Sequence, residues 1–451
     1  HWRRLVLSQY VGKDVTGRKD GQSRDTQGRA QAYNHAYKQA YKPSSWPPVP
    51  PVFEPPPHQP PVPQTRPAEA ESHPSKDQSR LHLRHIDLRK HKPNRRHMDL
   101  FPASFWIRYN ALPWLQLGDT TLIAFADEET VETCRPALQD AFGDFIPVLA
   151  PAEQISDQLW SFFRYRLAHE ASSGLPVELS SRMMQRRPNG VIHILILTTI
   201  FCLAVLFPTQ VFTLFCSLAI CLLILFTALK LTGVYAYFRP PSPAGRHPVP
   251  HHPHLPLISV LVPLYQEAEI SQALLRRLQR LTYPKSKREV FLVLEEGDTI
   301  TQNAVTRARL PEWIHVIEVP EWGDLRTKPR AMNFALNFCR GAIIGVWDAE
   351  DAPQSDQLEK VAAAFATADT KTACFQGVLD FYNPHANWIS RCFTLEYASW
   401  FRIVLPGIAR LRLVVPLGGT TMFISRRVLE ELKGWDAHNV PEDADLGVRL
   451  C

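Results

Sequence analysis

Three short acidic clusters stand out among the residues able to do chemistry: Glu295-Glu296-Gly297-Asp298, Asp348-Ala349-Glu350-Asp351 and Glu442-Asp443-Ala444-Asp445. The first two directly follow apolar, β-rich runs at 290–294 and 343–347, and the third opens an amphipathic pattern. A single acidic cluster after a strand is ordinarily a turn or a helix cap. Three of them in one domain have a further logic. Carboxylates present hard oxygens that hold a divalent cation against phosphate, and a further carboxylate can take the proton of an attacking hydroxyl. That set suits transfer of a glycosyl group from a nucleoside diphosphate, with Lys328 adding positive charge near the phosphates.

The elements that must position these clusters alternate. Apolar runs at 257–263, 290–294, 314–319 and 342–347 read as strands, and amphipathic stretches at 269–281, 303–309 and 330–339 as helices. Such alternation predicts a largely parallel sheet covered on both faces, with ligands at the carboxyl ends of the strands.

Upstream, the 451-residue chain changes character several times. Residues 1–99 are polar, dense in proline and poor in periodic apolar positions, and read as a disordered tail. Residues 100–172 read as a small α/β module: strand 121–125, helix 128–142, strand 145–149 and helix 152–168. Residues 191–238 hold no acids and only His193 and Lys230 as basic positions, a stretch too long for one span. Two transmembrane helices, near 191–207 and 211–231 with a hairpin turn at Pro208-Thr209-Gln210, are expected. Arg182, Arg186 and Arg187 before them and Arg239 and Arg246 after them place both flanks in the cytoplasm. Residues 239–256 form a proline and histidine linker, in which His251, His252 and His254 read as solvated rather than as metal ligands.

Composition excludes several classes. Lys and Arg exceed Asp and Glu by only six, and the basic run at 80–96 is short, so nucleic acid is not the expected partner. The eight cysteines include no CxxC pair, which argues against a disulfide scaffold or a zinc site. The chain starts at His1 and stops at Cys451 within an amphipathic pattern, as a fragment of a longer protein would.

In order, LISVLVPLYQEAE, LRTKPRAMNFAL, VWDAEDAP, PLGGTTMFISRRVLEELKGWD and VPEDADLGVRL resemble a processive-type family-2 glycosyltransferase. Together with the preceding apolar segment, the likeness is to membrane-bound cellulose-synthase-like and phage-adsorption-protein-B-like transferases. The stretch LPWLQLGDTTLIAFADEETVETCRPALQDAFGDFIPVLAPAEQISDQLWSFF resembles the second half of the N-terminal (MshE-type) domain of type II secretion ATPases. Some members of that family bind cyclic di-GMP through an Arg-Leu-Gly-type repeat. No such repeat occurs between Leu81 and Ala111, so a protein-docking role is the favoured expectation and cyclic di-GMP the lesser one.

The resemblance implies a GT-A-type, Rossmann-like α/β domain over 257–451 and a bacterial inner-membrane enzyme with both soluble domains in the cytoplasm. Pro263, Tyr265 and Glu267 would lie beside the nucleotide, Glu296 and Asp298 near its base or ribose, and Lys328 near the diphosphate. Asp348 and Glu350 stand in for the family's Asp-x-Asp motif and would hold Mg2+ or Mn2+, with Asp351 as a competing carboxylate. Asp443 aligns with the catalytic base, and Gly418, Gly419, Thr420 and Thr421 with the loop under the acceptor. The aromatic stretch around Trp388, Trp400 and Phe401 would lie at the membrane interface. The implied activity is inverting transfer from a nucleotide sugar, expected to be UDP-linked, to a polysaccharide or lipid-linked acceptor among membrane lipids. The Gln-x-x-Arg-Trp motif of processive members does not occur in these residues, which leaves processivity open. The alternative is a catalytically silent membrane scaffold, or a secretion or receptor component, that binds nucleotide sugar.

Overall fold

The computed structural model describes residues 4–7, 83–93, 95–183, 190–238, 255–268, 272–308, 310–369, 371–381 and 383–451. The proline-rich tail, the histidines of the 239–254 linker and the expected helix start at 269–271 lie outside the described residues.

Apart from β1 (Arg4–Leu7), the chain first builds a module on a three-stranded sheet, β2 (Ala111–Leu117), β3 (Thr120–Phe125) and β4 (Phe145–Leu149). The β3/β4 pair is parallel and β2/β3 antiparallel. The strand β2, which carries Pro113 and an irregular register there, is additional to the sequence expectation. Helices α1 (Ala103–Tyr109), α2 (Glu128–Phe142) and α3 (Ala152–Ser173) complete the module. Asp127 caps α2 by accepting from the Thr130 backbone N–H at 2.8 Å, and Glu128 and Glu129 complement the positive end of the helix. The module begins earlier than residue 100. Ile86 N–H donates to the Leu149 carbonyl at 2.8 Å, Leu149 N–H to that of Arg84 at 2.9 Å, and Leu88 and Met98 are buried. The end of the expected tail is therefore folded: its few apolar side chains find a partner surface, and the basic residues between them stay at the rim.

Two apolar helices follow, α4 (Gly190–Leu206) and α5 (Pro208–Phe238). Only Phe207 separates them, and Pro208, Thr209 and Gln210 lie in the first turn of α5, not in a hairpin turn. Helix–helix connections usually take roughly two to eight residues. Among the described residues α5 alone is long and apolar enough to cross a membrane; α4 is apolar but shorter.

The C-terminal domain is a seven-stranded sheet in the order β1-β9-β10-β8-β5-β6-β7. Its members are β5 (Ile258–Pro263), β6 (Arg288–Glu295), β7 (Ile314–Val319), β8 (Ile343–Val346), β9 (Thr372–Gln376) and β10 (Met422–Ser425) together with β1. β6, β8 and β9 are buried at every residue and β5 at all but Pro263, as a sheet covered on both faces requires. All neighbours are parallel except β10, which runs antiparallel between β8 and β9. Met422 pairs with Val346 and Gln376, so the 418–421 loop arrives at the carboxyl ends of both flanking strands.

Helices α6 (Gln272–Gln279), α7 (Thr299–Arg307), α8 (Lys328–Leu336) and α9 (Gln357–Thr367) flank the sheet. They are followed by α10 (Trp388–Ser399), a π-helical turn (Trp400–Val404), α11 (Leu405–Arg410), α12 (Arg426–Glu431) and α13 (Glu442–Arg449). One face of the sheet has its own core around Leu278, Leu292, Leu358 and Trp347. The other face, with Met332 and Phe334 of α8, shares a continuous apolar core with Ile155, Leu159 and Phe163 of α3.

Candidate active site

The carboxyl ends of β5, β6 and β8 face the start of α8, the 418–421 loop and the start of α13. Thr327 caps α8 by accepting from Arg330 N–H, and its hydroxyl donates to the Ala437 carbonyl at 2.7 Å. This fixes Lys328, the first residue of α8, at the centre. Its Nζ donates to Asp348 Oδ1 and to the Gly419 carbonyl, each at 2.7 Å, and lies 3.6 Å from Glu442 Oε1. A Cβ placed on Gly419 would sit 3.5 Å from Asp443 Oδ2 and 3.9 Å from Lys328 Nζ, so glycine leaves open the space between carboxylate, ammonium and loop. Lys328, Asp348, Gly419 and Asp443, spread over residues 328–443 of the chain, thus lie together.

Burial sets the charges. Glu442, next to Asp443, is buried, and desolvation pushes its carboxyl up to about 7; Asp443 and Asp348 add to the rise while Lys328 opposes it. Burial likewise pushes Asp351 up to about 6, against hydrogen bonds from the Thr420 hydroxyl and the Asp348 N–H. Asp351 accepts from Asp348 N–H at 2.9 Å and from Thr420 Oγ1, so it ties the strand end to the loop. Glu350 is exposed, with its carbonyl held by Arg277 at 2.8 Å. Among the described residues no group of three or more His, Cys, Asp or Glu side chains could hold a metal ion. Asp348 and Glu350 offer hard carboxylate oxygens at the strand end, which fits a divalent cation shared with diphosphate oxygens, not one enclosed by protein.

The loop is clamped from below by a residue that sequence reading did not single out. Gln376, fully buried at the end of β9, accepts from Gly418 N–H at 3.0 Å and donates to the Thr420 carbonyl at 2.9 Å. Thr421 has a positive φ of 52° and joins both neighbouring strands: its N–H donates to Val346 and its carbonyl accepts from Gly377, each at 2.8 Å. Thr420 Oγ1 accepts from Asp348 N–H at 3.0 Å. A Cβ on Gly418 would meet Leu379 at 3.0 Å and Phe401 of the π-helical turn at 3.3 Å, so any larger residue there would press these two side chains aside.

At the other end of the site, Pro263 closes β5, and Tyr265 and Glu267 follow, all three half-buried. Gln266 takes a positive φ of 55°, with its N–H on Asp298 Oδ2 at 2.6 Å, and Glu267 N–H donates to Thr301 Oγ1 at 2.9 Å. Asp298 is buried and also accepts from Thr301 N–H at 3.1 Å and Oγ1 at 2.5 Å. Its carboxylate caps α7 and fixes the 264–267 loop. Glu296 is half-buried at the rim, where Arg164 of the N-terminal module binds it at 2.7 Å.

Residues 253–451 match the family model described as glycosyltransferase like family 2, and residues 81–169 match that of the MshEN domain. The probable glycosyltransferase YdaM of Bacillus subtilis is 24% identical over 197 residues, 44% of this chain and 47% of YdaM. The beta-monoglucosyldiacylglycerol synthase of Trichormus variabilis is 29% identical over 203 residues, 44% of this chain and 41% of the synthase. The chain thus spans less than half the length of these curated relatives. A solved structure of the mannosyltransferase PcManGT from Pyrobaculum calidifontis, in complex with GDP-Man and Mn2+, aligns with a TM-score of 0.37 at 23% identity. The alignment covers 50% of this chain and 60% of that one. By these matches the chain is similar to family 2 glycosyltransferases over residues 253–451 and to MshEN domains over residues 81–169.

Proposed function

We propose that the chain is a membrane-anchored glycosyltransferase that moves a sugar from a nucleotide sugar, UDP-linked in the first instance, to a polysaccharide or lipid-linked acceptor with inversion. The observation that carries this reading is the convergence of Lys328, Asp348 and the Gly419 carbonyl on one side of an open space with Asp443 on the other. A pure nucleotide-sugar binder has no need of that second carboxylate.

Asp443 takes the proton of the acceptor hydroxyl, whose oxygen attacks the anomeric carbon from the face opposite the leaving diphosphate. Inversion follows from that single displacement. Lys328, on a buried and capped helix start, turns its ammonium toward the developing diphosphate charge. Mg2+ or Mn2+ held by Asp348 and Glu350 would supply further positive charge to the leaving group. Gly418, Gly419, Thr420 and Thr421 let the acceptor ring approach the backbone, while Gln376 and Asp351 hold the loop. Pro263, Tyr265 and Glu267 line the nucleotide end, where Glu296 faces the nucleoside and Asp298 shapes the loop.

Helix α5 anchors the chain in the bacterial inner membrane, and α4 crosses beside it as a shorter second span, which keeps both soluble domains on the cytoplasmic side. The exposed Trp388, Ile389, Phe393 and Leu395 of α10 rest at the same membrane surface. The N-terminal module docks a protein partner.

The test is release of nucleoside diphosphate from a panel of UDP- and GDP-sugars by the membrane-embedded protein, with Mg2+ or Mn2+ and with EDTA. Metal-dependent release from one donor supports the reading. Tight donor binding with no release under any condition would favour the silent binder.

A further inference from the structure

The donor-side acid Glu296 has its ion-pair partner in the other domain. Arg164 of α3 donates from Nη2 to Glu296 Oε1 at 2.7 Å, while Glu296 Oε2 accepts from Glu321 N–H at 3.2 Å. The Arg164 guanidinium lies over the Tyr165 ring, 4.6 Å from its centroid, and beside Trp160 at 5.7 Å. Trp160 in turn packs edge-on against Phe334 of α8 with ring centroids 5.8 Å apart. Arg164 is thus held by aromatic packing that belongs to both domains, on the helix adjoining the one that starts with Lys328.

The same segment reaches the base end of the site. Ser172 Oγ accepts from Arg330 Nε at 3.2 Å, and the Ser172 carbonyl lies 3.1 Å from His438 Nε2. Just beyond α3, Ser180 Oγ and Ser181 N–H donate to the two carboxylate oxygens of buried Asp436, at 2.8 and 2.6 Å. Asp436 and His438 lie in the loop that leads into Asp443. With the continuous apolar core beneath, the module is a fixed wall of the transferase site.

We propose that the MshEN module completes the transferase site and that Arg164 is a positioning residue, which holds the Glu296 carboxylate in the orientation that receives the donor's nucleoside. The inference rests on the transferase reading above. Without Arg164 the Glu296 carboxylate keeps only the Glu321 N–H and regains rotamer freedom, and donor binding must bear the cost of ordering it. A partly exposed ion pair of this kind is worth about a five-fold change in affinity. The effect falls on donor affinity because Arg164 stands at the nucleoside end, away from Asp443.

The experiment uses the full chain in lipid nanodiscs and measures donor KM, kcat and UDP and GDP affinity. Variants are Arg164→Gln, Arg164→Lys, Glu296→Gln, the Arg164→Gln/Glu296→Gln double variant, and Arg108→Ala. Arg108 pairs with Glu430 at 3.1 Å across the same two domains but outside the site. The expected result is a rise of about five-fold in donor KM and diphosphate Kd for Arg164→Gln with kcat within about two-fold, an intermediate shift for Arg164→Lys, and a double variant no worse than Glu296→Gln. Arg108→Ala should leave donor KM unchanged.

An unchanged donor KM in Arg164→Gln, additive effects in the double variant, or an equal shift in Arg108→Ala would each overturn the proposal. If Arg164→Gln fails to fold, Glu296→Gln against Arg108→Ala gives the same discrimination: equal donor KM values for those two would overturn it. A wild-type chain that neither binds nor turns over any donor would remove the transferase reading itself and the inference with it, whereas normal wild-type turnover with an unresponsive Arg164 removes the inference alone.

Discussion

Glu442→Gln isolates the electrostatics of the site in the metal-free protein. The Glu442 side chain is 8% exposed, 3.6 Å from Lys328 and adjacent to Asp443. Its carboxyl is pushed from the ordinary 4.5 up to about 7, chiefly by burial, with Asp443 and Asp348 raising it and Lys328 lowering it. A folded-state pKa above the unfolded one means that the native state holds the proton more tightly. The contribution to stability is therefore fully present below about pH 4.5, falls as pH rises, and is lost above pH 7. At 1.36 kcal/mol per pH unit, the interval from pH 5.5 to 7 corresponds to about 2 kcal/mol. Gln cannot ionise, so the variant should be steadier: its stability relative to wild type should rise by about 2 kcal/mol between pH 5.5 and pH 8. Asp351 also titrates near pH 6, but it does so in both proteins and cancels in the difference. Urea unfolding in detergent with EDTA, at pH 5.5, 6.5 and 8, measures it. A difference between variant and wild type that stays constant across these pH values would refute the reasoning.

Other substitutions test the framework around the site. Arg330→Met removes the fully buried partner of Glu295, 2.9 Å away, and should cost about 3 to 5 kcal/mol by the same unfolding assay, because an unpaired buried carboxylate remains. Gly407→Ala would drive a methyl group into the Gly233 carbonyl where α11 crosses α5. Thermal unfolding should show a loss of about 1 to 3 kcal/mol and protease cleavage should reach the α5–α11 contact. Gln376→Leu leaves the Gly418 N–H and Thr420 carbonyl without their clamp and, through a loop that also holds Lys328 and Asp348, should lower nucleoside diphosphate release about ten-fold.

Local pattern made much of this architecture legible. The 145–149 and 314–319 strands and the 128–142 helix coincide with β4, β7 and α2, because their periodicity and caps are written in adjacent residues. Asp348, Lys328 and Asp443 stand out as candidates because each falls at an element end with a charge that a packed core would not keep. Four strands escaped: β1 lies in the stretch read as a disordered tail, β2 carries a proline, β9 is short, and β10 opens from a glycine loop and runs against the parallel order, which only its neighbours dictate. Gln376 carries no signal in the sequence, because its amide spans a loop more than forty residues away from the end of a strand that local pattern does not reveal. Arg164–Glu296 and Ser180–Asp436 join residues 132 and 256 positions apart, a separation to which no periodicity speaks. Residues 83–93 and 95–99 read as tail for a related reason, since Leu88 and Met98 are too few to suggest a core until β4 and α3 supply its other half.

The most direct test of the central claim separates donor binding from turnover in Asp443→Asn. With the donor that the wild type cleaves, the variant should bind the nucleotide sugar with wild-type affinity and lose nearly all nucleoside diphosphate release. Wild-type release from Asp443→Asn would contradict the account, because the carboxylate facing Gly419 and Lys328 would then not be the group that takes the acceptor's proton.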